Sequence, residues 1–299
     1  MSGGFWATTS LLTMRDGREL VLRVMPDDGL AAKEVVIHRG VAEQGYSVPP
    51  VVASGDRSAG LGGPYMVMER VVGRMPLADL DLGKAVHRLR SIMRELPALL
   101  GTVMARLHEL DAAPVRAALV SDPPGVAIDT EGTLRSLCDA ARSTGRSDLV
   151  AAARWLERMR PAPAEEVVCH GDLHPFNVMV DADRWVLLDW TAATLGEPAY
   201  DIACTSLLLG NPPLVAPRAV APLLRLVGRV LVRRFVAAYG AAGGQVPSPQ
   251  VLQWHAVLCA LRVLVEVDGW TDRAARRGHP FLMIEAAATK IVANATRND

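Results

Sequence analysis

The chain has 299 residues, with 32 lysines and arginines against 32 acids, so its formal net charge is zero. Half of it is apolar and 21% is charged, a globular composition that excludes a disordered chain. The neutral balance gives no electrostatic basis for a nucleic-acid or acidic-membrane partner. No apolar stretch runs uninterrupted for the ~18 residues of a membrane span, and the start, Met1 to Trp6, lacks the basic head and apolar core of a signal peptide.

In chain order, Gly3-Gly4 opens a loop and Ser10 to Met14 reads as a strand. Asp16-Gly17 is a strong hairpin turn, and Glu19 to Met25 is the return strand. Leu30 to Glu43 has a helical face, closed by Gly45. Val51-Val52 reads as a short strand, Gly55 to Pro64 as a glycine-rich turn, and Tyr65 to Val72 as a further strand. From Leu77 the character changes. Helices are expected over 96–110, 133–142, 149–160, 200–209, 221–239, 251–267 and 280–295, broken at Pro123-Pro124-Gly125. The pattern predicts an α+β, two-lobed architecture. Residues 1–70 form a small antiparallel-sheet lobe with one main helix, and residues 71–299 a larger, mostly helical lobe with an embedded hairpin. The natural ligand cleft is the seam. Cys138, Cys169, Cys204 and Cys259 form no CxxC pair and are expected as buried free thiols in a reducing cytoplasm.

The chemistry concentrates between residues 167 and 190. Val167 to Cys169 is an apolar run, His170 to Asn177 a polar loop, and 178–180 with 185–188 two strands of a hairpin. If the hairpin is symmetric about Asp183, Val180 pairs with Val186, Val178 with Leu188, and Asn177 faces Asp189. An amide oxygen and a carboxylate would then converge on a point suited to Mg²⁺. Asp172 lies five residues ahead, where it could accept a hydroxyl proton. This Asp, Asn, Asp spacing is that of a kinase catalytic loop and its metal-binding acid. The competing reading, zinc held by His170, Asp172 and His174, leaves Asn177 and Asp189 without a role.

The stretch His170-Gly-Asp-Leu-His-Pro-Phe-Asn177, with Asp189-Trp190 and 196–203, resembles the aminoglycoside phosphotransferase and choline kinase-like family, the small-molecule branch of the protein-kinase-like fold. The resemblance implies Asp172 as catalytic base, Asn177 and Asp189 on Mg²⁺, Asp201 as an acid supporting the loop, and His170 and His174 in supporting places. It implies ATP as phosphoryl donor, its adenine clasped by the backbone of Met68, Glu69 and Val71. Gly3 and Gly4 resemble the turn over the phosphates. Arg23 stands where kinases carry a lysine, with Glu34 as its partner on the helix. The strand ahead of the glycine turn is expected to be missing. Residues 100–110 look like the first large-lobe helix, with His108 near the core.

The sequence thus points to an ATP- and Mg²⁺-dependent phosphotransferase acting on a hydroxyl of a small molecule, with no obligate protein partner. The alternative, prompted by Arg23 and the short start, is a nucleotide-binding or scaffold protein with impaired catalysis. For a cationic acceptor, Glu266, Asp268 and Asp272 are the candidate acids, with Trp270 for cation–π contact.

Overall fold

The computed structural model describes residues 7–78, 82–182, 184–211, 221–270 and 279–297. The small lobe is a four-stranded antiparallel sheet in the order β1-β2-β4-β3, built from β1 (Thr8–Thr13), β2 (Glu19–Val24), β3 (Val51–Gly55) and β4 (Tyr65–Glu69). Helix α1 (Asp28–Glu43) is started by Asp27, whose carboxylate accepts from Leu30 N at 2.7 Å. This cap satisfies one of the four free amides at a helix start. Ala31 packs α1 onto Met25, Met66 and Met68 of the sheet. Ile37 and Val41 of the same helix join the large lobe's core.

The large lobe begins with α2 (Leu82–His108) and continues through α3 (Ala112–Ser121), α4 (Thr130–Ser143) and α5 (Ser147–Arg158). Helix α2 starts fourteen residues ahead of the expected Leu96 and runs straight through Pro97. A proline there has no N–H to give the carbonyl one turn back. That carbonyl, Met93 O, instead accepts from Arg234 at 2.8 Å, so it is not left without a donor.

Two short ladders then follow: β5 (Val167–Cys169) with β8 (Thr194–Gly196), and the hairpin β6 (Val178–Asp181) with β7 (Arg184–Leu187). Helices α6 (Pro198–Gly210), α7 (Ala221–Ala241), α8 (Pro249–Asp268) and α9 (Pro280–Thr296) complete the described lobe. Trp190, fully buried, sits in a cluster with Leu100, Val103, Phe235 and Tyr239; a second cluster gathers around Trp254 and Leu258.

By length and composition α8 could cross a membrane. In this fold it is the core helix between α6 and α9, with Trp254, Val257, Leu258 and Leu261 buried. The cysteine expectation needs correction. Cys204 on α6 and Cys259 on α8 form a disulfide with Cα atoms 5.6 Å apart, while Cys138 and Cys169 are free and buried. The partners are 55 residues apart in sequence, so only the packing of α6 on α8 reveals the pair.

Candidate functional site

The expected hairpin register is off by one. Two residues, not the four of 181–184, separate the strand ends: Asp181 pairs with Arg184, Val180 with Trp185 and Val178 with Leu187. Ala182 takes φ 49°, the left-handed backbone that a two-residue hairpin turn demands. Asn177 therefore opposes Leu188, whose N–H donates to Asn177 O at 2.8 Å. A one-residue shift would send Asp189 to the opposite face of the ladder. The chain corrects this at Asp189 itself, which leaves the strand with φ 59°, a conformation costing a non-glycine residue about 1 kcal/mol or more. The carboxylate thereby turns to the small lobe.

There it meets Arg23 from β2. One Arg23 nitrogen lies 3.0 Å from Asp189 Oδ1 and 3.0 Å from Thr191 Oγ1; the other lies 3.4 Å from Glu34 Oε1 on α1. The Thr191 hydroxyl lies 2.9 Å from Glu34 Oε2 and 2.8 Å from Asp189 Oδ1, and its single proton serves one of them at a time. Burial would raise the Asp189 pKa, but the charge and hydrogen bond of Arg23 outweigh it and hold the group below its ordinary value. Glu34, fully buried, goes the other way: desolvation raises it more than Arg23 lowers it. The forked guanidinium bridges both acids, which one ammonium could not do in this way.

Asp172 and Asn177 are joined directly. Asn177 Nδ2 donates to Asp172 O at 2.9 Å and lies 3.3 Å from Asp172 Oδ2. This leaves the amide oxygen of Asn177 without a donor among the described residues. His174 Nε2 is 3.5 Å from Asp172 Oδ2. Burial would lower the His174 pKa, but Asp172 and Asp189 together push it up. His170 braces the loop as expected: its Nε2 donates to Leu188 O at 2.9 Å, its Nδ1 accepts from Asp172 N at 3.3 Å, and its ring stands edge-on to Trp190.

Beneath the loop, fully buried Asp201 accepts from His170 N at 2.8 Å and Gly171 N at 2.6 Å, and faces His108 Nε2 at 3.2 Å. Burial raises its pKa, but His108 and the amides prevail and it falls below the carboxylate norm. Gly171 must be glycine: its φ is 72°, and a Cβ would sit 2.4 Å from Ala192 O.

Two braces escape sequence reading. Thr205 Oγ1 donates to Leu173 O at 3.0 Å, and Arg262 donates to Gly171 O at 2.8 Å and to Tyr200 Oη at 2.9 Å. The available signal for Arg262 is a lone arginine inside the apolar run of α8.

The segment after β4 has only part of its backbone open. Glu69 N donates to Pro50 O and Arg70 N to Glu19 O, whereas Val71 N has no partner among the described residues. Met68 is buried with its side chain in the sheet core. The expected acids of α8 are engaged: Asp268 with Arg146 at 3.1 Å, and Glu266 with Trp270 Nε1 at 3.0 Å. Gly3, Gly4 and Asp272 lie outside the described residues.

A family model for a phosphotransferase enzyme family matches residues 1–258. The chain belongs to this phosphotransferase family. Among solved structures, an amicoumacin kinase in complex with AMP-PNP, Ca²⁺ and Ami matches with TM-score 0.64 and 13% identity, over 98% of this chain and 86% of that one. A thermostable mutant of aminoglycoside phosphotransferase APH(4)-Ia, in ternary complex with AMP-PNP and hygromycin B, matches with TM-score 0.62 and 19% identity, over 99% and 92%. At these identities the likeness is one of fold: the kinase-like arrangement of a small four-stranded lobe on a helical one. Acyl-CoA dehydrogenase family member 10 of Mus musculus is 24% identical over 199 residues, 64% of this chain and 18% of that protein. This phosphotransferase thus spans less than a fifth of that relative.

Proposed function

We propose that this phosphotransferase moves the terminal phosphoryl group of ATP to a hydroxyl of a small molecule. The observation that carries the reading is the joining of Asp172 to Asn177 at one loop end, with Asp189 near enough that its charge acts with that of Asp172 on the same His174. Asp172 is tied to Asn177, and Asp189 is turned to Arg23 of the small lobe by its left-handed backbone. Asp172 accepts the acceptor's hydroxyl proton as the new O–P bond forms and the bond to the β-phosphate oxygen breaks, releasing ADP. The amide oxygen of Asn177 and Oδ2 of Asp189, hard donors with no protein partner among the described residues, fit Mg²⁺. When bound, that ion neutralises phosphate charge. Arg23 keeps Asp189 ionised and oriented, and the free Val71 N–H is the hinge donor for adenine. That two structural relatives hold AMP-PNP supports a nucleoside triphosphate donor.

One observation favours a second reading, a nucleotide-binding protein with impaired catalysis: Arg23 already occupies Asp189 Oδ1. Thermal shifts separate the two. The proposal expects ATP with Mg²⁺ to stabilise the protein, by about 2.7 kcal/mol at a hundredfold excess over Kd, and Asn177→Ala to abolish the Mg²⁺-dependent part. A shift from ATP that Mg²⁺ does not change favours the second reading. No shift with either overturns both.

A further inference from the structure

We infer that Lys33 and Arg262 form an oxyanion subsite beside Asp172, so that the acceptor carries a carboxylate or phosphate along with its hydroxyl. The inference rests on the phosphotransferase reading. Lys33 lies on α1, one residue before the Arg23-paired Glu34, and is 7% exposed. Arg262 lies on α8. Neither has a carboxylate partner among the described residues. Lys33 Nζ has one acceptor, Ala127 O at 3.3 Å, and Arg262 has Gly171 O and Tyr200 Oη. Arg262 Nε is buried with no partner.

Strand register brings the two heads together. Asp129 bridges Leu195 in parallel, and Ile128 O, next to Ala127, accepts from Leu195 N; Cys169 pairs with Thr194, and Gly171 packs against Ala192 O. The two carbonyls that anchor Lys33 and Arg262 thus belong to segments that both border 192–195. Arg262 reaches the ladder end from which Asp172 emerges, at the residue just before it. Arg262 is close enough that its charge adds to burial in lowering the Lys33 pKa to about 8.

Burying a cation without a counter-ion is costly, and burying two that repel each other more so. The nearby acids relieve the pair only in part: Glu34 and Asp27 act to raise the Lys33 pKa, and Asp172 and Asp201 that of Arg262, yet each of these acids has another partner or task. Glu34 is bound to Arg23, Asp201 to His108 and two amides, and Asp27 caps its own helix. Asp172 faces Arg262 electrostatically, but it is the group that takes the acceptor's proton. Bracing the loop accounts for two nitrogens of Arg262. It leaves the third, and the charge of Lys33, unused. An acceptor with its hydroxyl on Asp172 and an oxyanion on Lys33 and Arg262 uses both. Asp268, already paired with Arg146, fits the same reading, since its charge is taken.

The test uses purified wild type, Lys33→Met and Lys33→Arg. Acceptors of one skeleton (3-hydroxypropionate, 1,3-propanediol and 3-amino-1-propanol) are compared by ADP release, with glycerol 3-phosphate against glycerol separating phosphate from carboxylate. The anionic member is expected to have a kcat/KM at least tenfold above its neutral and cationic counterparts. Lys33→Met should erase that preference through KM, with the neutral alcohol unchanged, and Lys33→Arg should restore it. In parallel, malonate without nucleotide should raise the Tm of wild type but not of Lys33→Met. Preference for the neutral or cationic acceptor, an equal loss for all acceptors in Lys33→Met, or the same malonate response in both proteins would overturn the subsite. If no acceptor turns over, the malonate comparison alone decides. ATP with Mg²⁺ is scored separately. Malonate protection without ATP protection sinks the phosphotransferase reading and leaves the subsite; the converse does the opposite.

Discussion

Asp201→Asn would remove one of the two oxygens on which the catalytic loop hangs. In the native protein Oδ1 takes Gly171 N, and Oδ2 takes His170 N and faces His108. An asparagine can satisfy one of the two amides; whichever way it turns, its NH₂ points at the other. Stranding a buried N–H costs about 1–3 kcal/mol, and losing a hydrogen bond to a charged group about 1.5–3 kcal/mol. The sum, about 2.5–6 kcal/mol, brackets the ~3–5 kcal/mol that breaking a buried charge pair costs. Urea unfolding followed by tryptophan fluorescence would read this directly, since Trp190 is fully buried against His170. With a slope of about 2–3 kcal/mol/M, the midpoint should fall by about 1–3 M. A shift under ~0.3 M would refute the claim that Asp201 anchors the loop.

Acid should destabilise the protein through two buried histidines, His38 and His255, whose pKa values burial lowers from 6.5 to about 4. The unfolded chain takes up these protons near pH 6.5 and the folded one only near pH 4. Stability is therefore complete above pH 6.5 and lost as pH falls through that window, by at most about 3 kcal/mol per group. Urea midpoints from pH 7 to 4.5 should show the loss, and His255→Leu should flatten the curve. Arg234→Ala should cost about 1 kcal/mol with Pro97 present and less in a Pro97→Ala background, where an amide returns to Met93 O; additive double-mutant energies would contradict that account. Alkylation of the denatured, unreduced protein should label two cysteines, Cys138 and Cys169, and four after reduction; four labels without reductant would refute the Cys204–Cys259 bond.

The parts legible in sequence were those fixed by neighbours in the chain. Asp16-Gly17 marks a hairpin, the periodicity of 30–43 marks a helix, and the spacing of Asp172, Asn177 and Asp189 marks the loop. Arg23 meeting Glu34 also followed, because a strand and the helix after it must pack. What escaped depends on distant partners or single dihedral angles. Nothing in 181–184 tells a two-residue turn from a four-residue one, and the positive φ of Asp189 that offsets the change of register leaves no mark in composition. Pro97 reads as a helix boundary until Arg234, 141 residues on, supplies the missing donor. Strand β8 is three residues long, too short for any period. Arg262 and Cys259 read as ordinary members of an apolar helix until α8 is packed against the loop and α6.

The account's central claim is that Asp172 takes the acceptor's proton in a site whose other parts bind nucleotide without it. The most direct measurement compares wild type and Asp172→Asn on the best acceptor found, with ATP and Mg²⁺ affinity measured on the same samples. The account predicts a fall in kcat of roughly 10²–10⁴ with nucleotide affinity and Tm unchanged. Turnover within a few-fold of wild type would contradict it.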